Sequence, residues 1–231
     1  MNLQTDTKSL PVVPSRRGSG IFYPESDGEP MAETDTHARL LIDLRKALDI
    51  FFVGREDVYV TGNIMFYYEE GEPTEVISPD VMVCFGVPKR QRTSYKTWEE
   101  NDVVPSVVIE ISSRGTWRKD RVEKRALYAM LGVKEYFIFN PLDLKSDFAF
   151  VALSLNNGEY AAMEIINGRA QSEVLNLELV VKDQTLRLFD PAVNDFLKTT
   201  EELAETVGDL TEENSELKSE IERLKKLLES K

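Results

Sequence analysis

From Leu203 to Leu228 a heptad repeat runs at intervals of 4, 3, 4, 3, 4, 3 and 4 residues through Leu203, Val207, Leu210, Asn214, Leu217, Ile221, Leu224 and Leu228. A segment with this period can gather those side chains on one face only as a long α-helix. Leu203, Leu210, Leu217 and Leu224 fall at d, and Val207, Asn214, Ile221 and Leu228 at a. β-Branched residues at a with Leu at d favour two parallel strands, and a single Asn at a fixes the register at some cost in stability. Across such a pair Glu213 at g faces Lys218 at e of the other helix, and Glu220 faces Lys225. The expected partner is therefore a second copy, in a homodimer through a parallel coiled coil at 203–228. An amphipathic helix folded back on its own domain is the alternative, but the a/d seam is narrower than such a helix shows.

The remaining chain divides by composition. Residues 1–20 mix Pro, Ser, Gly and charge without periodicity and are expected to be a disordered lead-in. Residues 21–195 are expected to form one globular domain, and residues 196–231 the coiled-coil helix. Hydrophobic content of 42% and charged content of 30% suit a globular chain. No apolar run approaches the roughly 20 residues of a membrane span, and no apolar signal core opens the chain, so no membrane contact and a cytoplasmic location are expected. A net charge of -13 argues against non-specific coating of nucleic acid. Locally the balance reverses: six bases face two acids between Arg114 and Arg125, and Lys89, Arg90, Arg92 and Lys96 make a second basic stretch. Such fields matter for a polyanion entering a cleft, although solvated surface segments would read the same way. Cys84, the only cysteine, sits in the run Val81–Phe85 and reads as a small core residue.

Periodicity places a helix over Thr34–Phe52, with Thr34 or Thr36 as cap. Strands are expected over Asp57–Tyr68, Val76–Val87, Ser106–Ser113 and Glu135–Phe139. A helix over Asp120–Leu131 ends at Gly132. A hairpin over 147–166 turns at Asn156-Asn157-Gly158, and shorter strands follow at Leu175–Val181 and Thr185–Leu188. The order predicts an α/β fold of the α+β kind, a mixed sheet flanked by helices.

Two acids stand out. Asp80 enters one apolar strand after Ser78-Pro79, and Glu110 lies inside another, where Val108, Glu110 and Ser112 share a face. A carboxylate there is costly unless it is paired or bound to a cation. Spacing alone leaves two readings open: a shared hard divalent ion, or a buried structural acid pair.

Pro79-Asp80, some thirty residues, then Glu110 in an apolar strand resembles the PD-(D/E)XK nuclease superfamily. The run Val108–Ala129 followed by Gly132-Val133-Lys134-Glu135-Tyr136-Phe137 is similar to the Uma-type candidate restriction endonucleases. That family shows a "VEVxSxST" strand end, a "DxxxK" helix start and a "GVxEYW" strand. The resemblance spans residues 22–190. It departs at Ser112, where the superfamily pattern has its lysine, at Gly115 and at Phe137. In the Uma-type branch the lysine lies on the following helix, which corresponds to Lys124 here; Lys119 is the lower-ranked substitute. His37 corresponds to a histidine at the start of the family's first helix, as a phosphate or metal-water contact or as a helix cap. Asp120 matches the "D" of "DxxxK", and a helix cap is its expected role.

The resemblance implies a Mg2+-dependent endonuclease acting on DNA, with Mn2+ as a substitute metal. Asp80 and Glu110, with the carbonyl of Ile111, would hold the ion, and Lys124 would orient water or balance charge. Ser112, His37 and Asp120 would assist, and a dimer would bring two sites to a duplex. A nuclease fold kept as a binding module working through its coiled coil is the alternative, and an RNA-cleaving enzyme a third possibility.

Overall fold

The computed structural model describes residues 21–26, 34–112, 118–146 and 148–229, so the lead-in expected at 1–20 lies outside them. The elements run α1 (Asp35–Phe51), β1 (Val58–Thr61), β2 (Met65–Tyr67), β3 (Val76–Ile77), β4 (Val81–Phe85), β5 (Ser94–Lys96) and a 3-10 turn (Thr97–Glu99). There follow β6 (Val107–Ile111), a π-helical turn (Lys119–Lys124), α2 (Arg125–Leu131), β7 (Glu135–Phe139), β8 (Phe150–Asn156) and β9 (Glu159–Ala162). The chain closes with β10 (Arg169–Ser172), β11 (Leu177–Lys182), β12 (Thr185–Asp190), β13 (Asp195–Phe196) and α3 (Thr200–Glu229).

One sheet organises the rest, in strand order β1-β4-β6-β7-β8-β9. Its pairs are antiparallel except β6–β7, which run parallel and are joined through the π-turn and α2. A parallel pair needs such a crossover. Both faces are covered. Val107, Ile109 and Ile111 pack with Leu40, Leu44 and Leu48 of α1 and with Leu177, Leu179, Leu186 and Leu188 of the β10–β13 sheet. Val108, Tyr136 and Ile138 pack on the other side with Tyr128 of α2 and with Phe66 and Tyr95 of the small β3-β2-β5 sheet. Burial on two faces is why these strands read as unbroken apolar runs.

Two expected strands are each divided. The segment 57–68 breaks at Gly62-Asn63, with Asn63 at φ 53°, so that β1 joins the large sheet and β2 the small one. The segment 76–87 breaks at Pro79-Asp80, because Pro79 has no N–H to extend a ladder. Gly132 closes α2 in the left-handed region at φ 86°, as a C-terminal glycine does. Short β5, β10 and β13 were not expected from sequence.

α3 is fastened at its start and exposed beyond it. Thr199 and Glu202 cap each other reciprocally, the Thr199 N–H donating to Glu202 Oε2 at 2.8 Å and the Glu202 N–H to Thr199 Oγ1 at 3.2 Å. Arg187 donates to Glu202 Oε2 at 2.7 Å, and the Thr200 N–H to Asp43 Oδ1 of α1 at 2.9 Å. Beyond this anchor Val207, Leu210, Leu217, Ile221, Leu224 and Leu228 are all exposed. Among the described residues no helix is long and apolar enough to cross a membrane.

Candidate active site

β6 carries Glu110 into the face packed against α2, where its side chain is 1% exposed. Water cannot reach it there, so its oxygens need partners from the fold. The Lys124 ammonium stands 2.8 Å from Glu110 Oε2, and the Tyr128 hydroxyl donates to Oε1 at 2.8 Å. Asp120, Lys124 and Tyr128 recur every four residues, so the π-turn and α2 present all three on one side. Asp120 Oδ1 lies 3.1 Å from the Lys124 nitrogen, and the Ser112 hydroxyl donates to Asp120 Oδ2 at 2.5 Å.

Asp80 reaches the cluster from the position just before the neighbouring strand β4. Its Oδ2 accepts the Ile111 N–H at 2.7 Å, and its own N–H points to Glu110 Oε2 at a long 3.4 Å. His37, from the first turn of α1, brings Nε2 to 3.4 Å from Asp80 Oδ1, while its backbone N–H is capped by Thr34. Asp80, Glu110, Lys124, His37, Ser112 and Asp120 are thus gathered in one place, with Ile111 binding Asp80 through its amide. Lys119 is exposed on the surface.

The cap role expected for Asp120 does not hold. The helical backbone has already begun at Arg118, and the Asp120 side chain, 2% exposed, turns inward to Ser112 and Lys124. Ser112, standing where the superfamily has lysine, holds Asp120 instead. Tyr128 was missed by sequence reasoning; the 120/124/128 stripe was its signal. Gly62 was missed as well. A Cβ there would lie 1.8 Å from the Asp80 carbonyl oxygen, so only glycine lets β1 pass this close to the segment carrying Asp80. Cys84 is wholly buried, and burial pushes its thiol up to about 12, which leaves it an inert core residue.

Charge is unevenly balanced in the cluster. Burial pushes the Glu110 carboxyl up to about 8, opposed by Lys124 and reinforced by Asp80 and Asp120. Burial also pushes Asp80 upward, but His37, the Ile111 N–H and Lys124 together hold it below its ordinary value. Lys124 is desolvated, which favours its neutral form, yet the carboxylates of Glu110 and Asp120 hold it above the ordinary lysine range. Three acids therefore surround one lysine. Among the described residues Asp120 Oδ1 is buried with only the Lys124 ammonium, 3.1 Å away, beside it.

A divalent ion fits this donor set in kind. Carboxylate oxygens are hard ligands, and Mg2+ commonly binds through one or two carboxylates while keeping waters and substrate phosphate oxygens. Asp80, just before β4, and Glu110, on the paired strand β6, supply two. Among the described residues no three His, Cys, Asp or Glu side chains already converge as a complete cage. Beside the cluster Ser112 also lines a cavity of about 430 Å³ with Arg121, Asn140 and Phe148.

A family profile described as "Uma2: Putative restriction endonuclease" matches residues 10–188. No curated protein matches the chain. Among solved structures, a "putative nuclease belonging to DUF820 from Anabaena variabilis ATCC 29413" is 14% identical with a TM-score of 0.47, over 69% of this chain and 87% of that one.

Proposed function

The chain belongs to the Uma2 family, and from that premise we propose that it is a Mg2+-dependent endonuclease that hydrolyses phosphodiester bonds of DNA and acts as a dimer. The observation that carries this reading is the meeting of Glu110 and Asp120 on the single ammonium of Lys124, with Asp80 held beside Glu110 through the Ile111 N–H. Asp80 and Glu110, with the Ile111 carbonyl, would hold Mg2+ or Mn2+. When bound, the ion makes a water easier to deprotonate and offsets charge on the phosphate. Lys124 is the side chain placed to orient that water or to balance negative charge on the scissile phosphate. Ser112 and Asp120 fix Lys124 from behind, and His37 steadies Asp80.

The dimer is proposed from α3, whose exposed heptad face pairs best with its own copy. A chain ending at Asp195 should then run as a monomer in light scattering; a dimer of that fragment would place the main interface elsewhere.

Supercoiled plasmid nicking in Mg2+ or Mn2+ tests the activity. Wild type should nick, and Asp80→Ala, Glu110→Ala and Lys124→Ala should each lose about 100- to 1,000-fold in rate. Activity surviving all three changes would sink the assignment. A second reading, a nuclease fold retained as a binding module, draws on Glu110 having both oxygens taken by Lys124 and Tyr128. An inactive wild type under every metal tried would favour it.

A further inference from the structure

Outside the cluster, α1, the edge strand β1 and the loop before β5 enclose a groove of about 780 Å³, lined by Arg45, Lys46, Tyr59, Thr61, Lys89 and Arg90 among others. We propose that this groove binds the sugar-phosphate backbone of duplex DNA on one side of the scissile bond, an inference that rests on the endonuclease reading.

Charge is the first support. Five bases line the groove, Arg45, Lys46, Lys89, Arg90 and Arg92, against Asp49 alone. Counting Glu100 beneath them leaves a surplus of three positive charges in a chain of net charge -13. A polyanion approaching so acidic a molecule needs a focused positive track of this kind.

The bases are also held in place. Glu100, 4% exposed, accepts Arg90 Nη2 at 2.5 Å and Arg92 Nε at 2.8 Å. One buried carboxylate cannot neutralise two guanidinium groups. The Arg92 side chain is itself buried, with its guanidinium 4.1 Å above the Tyr59 ring, whereas the Arg90 side chain stays 54% exposed. Lys89 ties the loop to α1 through Asp49 at 3.0 Å. Arg45 and Lys46 are exposed and have no ion-pair partner among the described residues. The result is a rigid wall carrying outward charge, suited to phosphates that repeat along a strand.

The groove also leads to the reaction centre. Both of its walls converge on Asp80: α1 through His37 at its first turn, and β1 through Gly62, packed on the Asp80 carbonyl. From His37 to Arg45 the helix rises about 12 Å, and from Gly62 back to Tyr59 the strand covers about 10 Å. At about 3.4 Å per nucleotide step, the groove meets phosphates roughly three steps from the bond at Asp80.

Fluorescence anisotropy with a labelled blunt duplex, titrated with the full chain in EDTA over a range of salt, tests this without requiring cleavage. The variant Arg45→Gln/Lys46→Gln/Arg90→Gln leaves Glu100 paired with Arg92, and Gln suits the helix. It should bind about tenfold or more weakly, with a salt slope shallower by about 3. Lys134→Gln/Lys182→Gln/Lys226→Gln, with the same net charge, should bind as wild type. The proposal is overturned if the groove variant keeps wild-type affinity and slope, if the control loses as much, or if wild type binds an RNA hairpin but not the duplex. Binding lost in the groove variant alone, from a wild type that never nicks, supports the groove and removes the endonuclease reading. Nicking by a protein whose groove variant binds normally does the reverse.

Discussion

Two buried glutamates sit on adjacent parallel strands, Glu110 on β6 and Glu135 on β7, and the fold treats them differently. Glu135, 3% exposed, accepts the Ser172 hydroxyl and the N–H groups of Glu173 at 2.9 Å and Val174 at 3.1 Å. All its donors are neutral, and they stitch the large sheet to the turn between β10 and β11. Glu110 is met by an ammonium, a phenol and two further acids. Burial alone therefore does not mark a reaction centre. Neutral partners answer a structural acid, whereas a lysine crowded by three acids is an arrangement that a cation or a phosphate can still change.

The comparison can be broken most forcefully at Lys124. Lys124→Ala leaves Glu110 and Asp120 without their counter-charge and should lower stability by about 3 kcal/mol, read from urea unfolding midpoints. A change below about 1 kcal/mol would mean that the cluster is not charge-coupled as described. Next comes Gly62→Ala, whose Cβ forces the Asp80 segment aside. Nicking should fall about 100-fold, while Gly54→Ala, with nothing within 4 Å of the added carbon, should stay at wild-type rate.

Smaller effects belong to Glu135. Glu135→Gln keeps one oxygen for the two N–H groups but loses the acceptor of the Ser172 hydroxyl, and should cost about 1–2 kcal/mol of stability, with nicking unchanged. Its pH dependence has a definite sign. Burial raises the Glu135 carboxyl above its ordinary 4.5 in the fold, against the pull of its hydrogen bonds. The folded protein then binds more protons than the unfolded chain in that window, so this contribution is full below the unfolded value and is lost as pH rises through the folded one. The stability gap between wild type and Glu135→Gln should accordingly narrow as pH rises past 4.5. A gap that widens would contradict the raised carboxyl.

Much of this was legible in the chain. The α1 cap at Thr34, the β7 strand and its stop at Asn140, the hairpin turn at Asn157-Gly158 and the closing Gly132 follow from local rules that tertiary packing did not override. Asp80 and Glu110 were visible because an acid in an apolar strand demands a reason. Lys124 came from family resemblance alone, since no local rule carries a helical lysine back to a strand. Asp120 was misread because a short acid near a helix start looks like a cap; only the turn's entry at Arg118 shows it pointing inward. The split at Gly62 was hidden because whether a chain stays in one sheet or crosses to another depends on non-local partners, whereas the one at Pro79 carried a local signal, the missing N–H. Ser172 acts through Glu135, 37 residues away, and pattern reading alone does not reach it, whereas Tyr128 lay on the 120/124/128 stripe and was overlooked.

The most direct test sets the two glutamates side by side in metal-dependent plasmid nicking, with melting curves to confirm that each variant is folded. Glu110→Gln should nick about 1,000-fold more slowly than wild type, and Glu135→Gln should nick at the wild-type rate despite its lower stability. Equal losses in both variants, or full activity in Glu110→Gln, would contradict the assignment of the reaction centre to the Lys124 cluster.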